Sequence, residues 1–121
     1  MFKSKLILEP YEEEGRFRLV FPLIYYSPRE DIEVFVPWGF DTDGASIPPI
    51  LNEIWKIGGE AMAPAVIHDY LYRSQLTSKT VADRIYLEAM EEVGVSKFKR
   101  YAMYYTVRIF GNKAWTLYSR G

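Results

Sequence analysis

Two kinds of hydrophobic spacing divide the chain. Up to residue 37 apolar positions alternate with polar ones or form short unbroken runs, the spacing of strands; beyond residue 60 they recur every three or four residues, the spacing of helices. Residues 3–9 and 16–26 predict strands, the second alternating from Arg16 and then running apolar to Tyr26. Asp31-Ile32-Glu33-Val34-Phe35-Val36-Pro37 alternates cleanly and stops at proline. Pro48 or Pro49 opens a short helix through Trp55, ended by Gly58-Gly59. A second helix is expected from about 60 to 73. A third starts within Thr77-Ser78-Lys79-Thr80 and stops at Gly94; a fourth is capped by Ser96 and stops at Gly111. The last residues, with Trp115 and Tyr118, pack back as a short helix or strand. The predicted architecture is one α+β domain over 1–121: a small antiparallel meander, a motif loop at 38–49, then a bundle of about four helices.

Composition narrows the chemistry. With 49% hydrophobic and 17% aromatic residues, 121 residues suffice for a real core, and ten tyrosines bring polar tips that need partners. A net charge of −1 gives no general nucleic-acid footprint. The local cluster Lys97, Lys99, Arg100 and Arg108 reads first as a solvated helix face. The absence of cysteine removes disulfides, thiolate zinc sites and Cys nucleophiles, and a single histidine excludes a multi-histidine zinc site within one chain. A metal would be held by oxygen, which points to calcium or magnesium. No stretch is long enough to span a bilayer, and the first apolar run is too short for a signal peptide, so the cytoplasm is the expected compartment.

One stretch concentrates the candidate chemistry: Ala65-Val66-Ile67-His68-Asp69-Tyr70-Leu71-Tyr72. On a helix His68 and Tyr72 share a face, and Asp69 lies about 100° further round. A carboxylate in an apolar run calls for a partner. The short connection to the third helix makes the two helices antiparallel, so Asp83, one turn into the third, reaches His68. Such a carboxylate fixes the imidazole tautomer and raises basicity at the other nitrogen. The rival reading of Asp83 is a capping box, Thr80-x-x-Asp83. In the motif loop, Thr42, Asp43 and Gly44, with Arg108, are candidate ligand-binding residues, since Gly44 permits neighbouring backbone groups to converge. The loop's other reading is structural, with Asp43 and Ser46 bonding their own backbone.

His68-Asp69-x-x-Tyr72, followed one antiparallel helix later by Ala82-Asp83, resembles the active-site helix pair of secreted and viral phospholipase A2 proteins. The resemblance covers about residues 63–90. It implies His68 as the base that activates water, Asp69 as a calcium ligand, and Asp83 with Tyr72 as orienting groups. Where that family has a Gly-rich calcium loop this chain has Thr42-Asp43-Gly44-Ala45-Ser46, and the flanking disulfides are missing. A broader resemblance covers most of the chain. Val36-Pro37-x-Gly39-Phe40-x-Thr42-Asp43-Gly44-Ala45-Ser46-Ile47-Pro48, Ala65-Val66-Ile67-His68-Asp69-x-Leu71-Tyr72, Ala82-Asp83 and Val107-Arg108-x-Phe110-Gly111 are similar to domain-of-unknown-function family 1353. That family occurs largely in tailed bacteriophages and prophages, so the resemblance implies a phage protein acting in the host cytoplasm or associated with the virion.

The leading expectation is a hydrolase-like protein acting on an ester or phosphodiester. His68, Asp83 and Tyr72 would form its catalytic group, with calcium, if any, on Asp69 and Asp43. A variant makes Ser46 the nucleophile, though nothing like a nucleophile elbow surrounds it. Two alternatives stand beside it. One is a non-catalytic phage protein binding a small molecule, lipid, virion component, host protein or defence nucleotide, with Arg73, Arg100 and Arg108 supplying charge. The other is a purely structural His68/Asp69/Asp83 network.

Overall fold

The computed structural model describes residues 1–10, 17–42 and 61–119. Among these, strands precede helices, as an α+β fold requires. The strands form two antiparallel sheets instead of one meander. β1 (Leu8–Pro10), β2 (Phe17–Leu19) and β5 (Asp41–Thr42) make a three-stranded sheet in the order β1-β2-β5. β3 (Leu23–Ser27) and β4 (Ile32–Val36) make a hairpin.

The run expected as one strand over 16–26 is broken between β2 and β3. Pro22 stands at the break and has no N–H to give to a ladder. Ser4 spans the gap, its hydroxyl donating to the Pro22 carbonyl at 2.8 Å and accepting from the Ile24 N–H at 2.9 Å. For the same reason 3–9 is not one strand. Residues 1–3 run beside the hairpin, through a Phe2–Tyr25 bridge, and the chain then crosses to pair Leu8 with Leu19.

In the hairpin Leu23 faces Val36 and Tyr25 faces Val34, all four fully buried, while Ile24 and Phe35 point away. Strand period two thus produces one core face. The Tyr25 hydroxyl donates to Glu88 on the helical side, and Ser27 Oγ donates to the same carboxylate at 3.2 Å. Burial, followed by the hydrogen bond to Glu88, pushes the Tyr25 phenol well up, so it remains a donor.

Four helices follow among the described residues: α1 (Met62–Ser74), α2 (Lys79–Glu92), α3 (Lys97–Phe110) and α4 (Asn112–Ser119). The short helix expected at 48–55 lies outside the described residues. α1 is the centre of the fold and is buried on most of its circumference, with Val66, Ile67 and Leu71 at zero exposure. Burial of each such side chain stabilises by about 1.5–3 kcal/mol. α2 lies against both α1 and α3 and buries Ala82, Ile85, Tyr86 and Ala89.

The helix ends match their sequence signals unevenly. Ser78 caps α2, accepting from Val81 N–H at 3.2 Å, and Ser96 caps α3, accepting from Lys99 N–H at 3.4 Å. Gly94 ends α2 at φ +91°; its N–H donates to the Glu91 carbonyl at 3.2 Å and the Val95 N–H to the Met90 carbonyl at 3.0 Å. That pair of bonds, with Val95 and Met90 both buried, is a Schellman closure. Gly111 is different. Its φ is −77°, and α4 begins at the next residue, so it is a joint between helices and not a stop.

Gly94→Ala should lower unfolding stability by about 1 kcal/mol, because an L side chain is strained at this φ. Nothing lies within 4 Å of the new Cβ, so chemical denaturation should report that conformational cost without a packing defect.

Candidate functional site

His68 and Tyr72 are one turn apart on α1, and both reach the same atom across the helix interface. His68 Nε2 lies 2.8 Å from Asp83 Oδ1, and the Tyr72 hydroxyl donates to that oxygen at 2.7 Å. The imidazole is held between two phenol rings, with centroids 4.2 Å from Tyr72 and 4.5 Å from Tyr86. Asp83 is not a helix cap. Ser78 takes that role, and Thr80 Oγ1 instead accepts from Arg108 Nη1 at 3.2 Å.

Lys79, which sequence reasoning did not single out, completes the group. It precedes Asp83 by four residues, a spacing that puts a cation over a carboxylate on one helix face. Its ammonium donates to Asp83 Oδ2 at 2.9 Å, to the Val107 carbonyl at 3.1 Å and to the Arg108 carbonyl at 3.3 Å. All three N–H groups of the ammonium have acceptors. The two carbonyls belong to the last turn of α3, where the helix dipole favours a cation; the Val107 carbonyl also accepts from the Gly111 N–H at 2.9 Å. One lysine therefore ties α2, the end of α3 and the buried carboxylate together.

Electrostatics set the protons of Asp83 and Tyr72. Burial pushes the Asp83 carboxyl up, but hydrogen bonds from His68, Lys79 and Tyr72 together outweigh it and hold the group below the usual carboxylate range. Burial, then the bond to Asp83, pushes the Tyr72 phenol far up, so it keeps its proton and donates. An ionised Asp83 can only accept, so His68 donates through Nε2–H and the lone pair of its neutral ring is on Nδ1. Among the described residues Nδ1 has no hydrogen-bond partner. Lys79 and Asp83 form an ion pair at 2.9 Å within the network.

A cleft of ≈ 90 Å³ opens beside this group, lined by His68, Tyr72, Val107, Phe110 and Gly111 among others. It has room for a few water molecules. Gly111 is required here for space: a Cβ would stand 2.6 Å from the Tyr72 hydroxyl oxygen and 2.4 Å from the Val107 carbonyl oxygen. Its place in the quoted motif Val107-Arg108-x-Phe110-Gly111 was the available signal.

Asp69 faces elsewhere. Its Oδ2 lies 3.2 Å from Arg73, whose Nη1 donates to Asp41 Oδ1 at 3.3 Å and whose guanidinium stacks over Phe40 at 5.0 Å. Arg73 thus fastens the start of the motif loop to α1. Thr42 closes β5 opposite Phe17, while Asp43, Gly44 and Ser46 lie outside the described residues. Arg108 serves Thr80 and Lys79 and does not line the cleft. Among the described residues, no three or more His, Asp or Glu side chains converge as a metal site.

The sequence profile of a family described as Protein of unknown function (DUF1353) matches residues 17–107. The chain belongs to that family. The match runs from β2 into the last turn of α3 and includes His68, Tyr72, Lys79 and Asp83. No curated protein and no solved structure matches the chain. The DUF1353 assignment therefore supplies a lineage, and the chemistry rests on the side chains.

Two outcomes follow from this geometry. Gly111→Ala should destabilise the fold by about 1–3 kcal/mol, the usual range for overpacking, and should displace Tyr72 from Asp83. Differential scanning calorimetry measures the first; the Tyr72 hydroxyl proton resonance reports the second. Asp83 has a lower carboxyl pKa folded than its unfolded value of about 3.9, so its stabilisation is complete above about pH 4 and is lost as pH falls through the folded value. Asp83→Asn should cost about 3–5 kcal/mol near neutral pH by stranding the Lys79 charge. The double variant Asp83→Asn/Lys79→Met should recover part of that loss and lack this acid step when denaturation is followed from pH 7 to 2.

Proposed function

We propose that the protein is a small hydrolase that attacks an ester or phosphodiester with water activated by His68. The observation that carries this is the 2.8 Å contact between His68 Nε2 and an ionised Asp83, which leaves Nδ1 as the basic nitrogen. Nδ1 takes a proton from water as the water oxygen bonds to the carbonyl carbon or phosphorus. The imidazolium, stabilised by Asp83, then gives that proton to the departing oxygen. Arg73 already holds positive charge against Asp69 at 3.2 Å, so a calcium ion on Asp69 would have to displace a guanidinium. A host cytoplasm or a virion is the compartment proposed with this activity, on the resemblance of the motifs to a family of tailed phages and prophages.

A specific observation favours a second reading, in which the network only locks the helices: His68 is 6% exposed and Asp83 0%. The discriminating variant is His68→Gln. Its amide can keep the bond to Asp83 but cannot take a proton from water near neutral pH. Under the catalytic reading, turnover of an ester and phosphodiester panel falls by roughly 10²–10⁴ while the melting temperature holds. Under the structural reading, loss of the imidazole base leaves turnover per folded molecule unchanged, and function declines only with folded protein. Calorimetry with calcium decides the metal question. Binding that vanishes in Asp69→Asn supports a metal there; no heat at millimolar ion leaves Arg73 as the charge on that face.

A further inference from the structure

The chain is electrically divided. From Ser96 onward it carries six cations (Lys97, Lys99, Arg100, Arg108, Lys113, Arg120) and no side-chain carboxylate. The residues before Ser96 carry nine cations and sixteen carboxylates. Among the described residues, Lys97, Lys99, Arg100, Arg108 and Lys113 enter no ion pair, although Arg100 donates to the Val95 carbonyl and Arg108 to Thr80, whereas Arg18, Arg29, Arg73, Lys79 and Arg84 all pair with carboxylates.

The same helices carry exposed apolar surface. α3 buries only Met103 fully, and α4 buries no residue fully. At 100° per residue Phe98, Tyr101, Tyr105 and Ile109 fall on one stripe of α3, roughly opposite Met103. Phe98 is 83% exposed, Tyr105 56% and Ile109 62%; off this stripe, Phe110 at the end of α3 is 71% and Leu117 on α4 66% exposed. An amphipathic helix places its apolar side against the core, and here a second apolar stripe faces out. Exposed apolar surface of this extent, flanked by cations, marks an interaction surface.

We infer that the α3–α4 face docks on an anionic lipid surface. Apolar side chains set among lysines and arginines match the acyl–headgroup boundary of a negatively charged leaflet. A second copy is disfavoured because it would bring two sets of unpaired cations together. Single-stranded nucleic acid would reward the cations and the aromatic rings, but not Ile109 or Leu117. The acidic remainder suits a flat partner, which meets one face only. Among the described residues no helix is long and apolar enough to cross a membrane, so this is attachment at a surface.

The inference does not depend on catalysis, because docking is measured without turnover. The full chain is floated with vesicles of phosphatidylcholine containing phosphatidylglycerol, and with phosphatidylcholine alone. Binding is expected only to the first and should weaken as salt rises. Lys97→Gln/Lys99→Gln/Lys113→Gln should lower affinity about 100-fold, at the usual contribution of each cation near a charged surface. Phe98→Ser/Ile109→Ser should lower it at least about tenfold with an unchanged melting temperature, since both side chains are exposed. His68→Gln should bind as the parent does, which separates failure of docking from failure of catalysis. No binding to the anionic vesicles, tighter binding to an oligothymidylate than to vesicles, or a concentration-dependent dimer that Phe98→Ser/Ile109→Ser abolishes would each overturn the inference.

Discussion

A carboxylate without solvent contact sits where α1, α2 and the end of α3 meet, and the rest of the helical layer is arranged to keep it ionised. Taking Asp83 out of water carries a penalty of several kcal/mol, which only close donors offset. Three arrive from different places: an imidazole and a phenol from α1, and an ammonium from α2 itself. Each donor is in turn held. Tyr86 stacks on His68, Trp115 meets Tyr72 edge-on at 5.1 Å, and two α3 carbonyls fix Lys79. The apolar core supplies most of the stabilisation, but it does not choose the register of α1 against α2. The Asp83 contacts do, because a shift of one residue on either helix would strand a buried charge.

The same carboxylate links fold to chemistry. A group that can only accept forces its partners to donate, and this commits His68 to one tautomer. The lone pair that remains belongs to the nitrogen not used in packing. Lys79 matters here because it balances the charge of Asp83, so the imidazole is free of the role of counter-ion. The geometry that would make His68 a base is thus the geometry that makes α1 and α2 pack.

Much of this was legible in the sequence, and the gaps have physical causes. The i,i+4 spacing of His68 and Tyr72 and the short connection to α2 sufficed to place Asp83, because antiparallel helices leave little freedom. Lys79 was hidden in what reads as helix-start composition; its second set of acceptors lies on α3, almost thirty residues on, and local spacing carries no sign of them. The strands misled differently. The strand-like patterns over 3–9 and 16–26 carry no break in their hydrophobic spacing, but Pro22 and Ser4 redirect hydrogen bonds, and bonding decides where a strand ends. Gly111 looked like a stop signal. It is instead a contact, selected for the missing Cβ beside Tyr72 and not for its φ.

The ends of α3 and α4 show how little core a helix needs when its termini are anchored. Only Met103 of α3 is fully buried, yet the helix is fixed at one end by the Ser96 cap and at the other by Lys79. Gln75 donates to the Trp115 carbonyl at 2.8 Å and holds α4 against the end of α1. Anchoring by polar contacts at the ends leaves the outer side of α3 without a packing duty. An outer side free of that duty can still be expected to carry polar residues, since solvent favours them. Phe98, Tyr105 and Ile109 are there instead, so their position answers to something outside the monomer, and the unpaired cations around them set the sign of its charge.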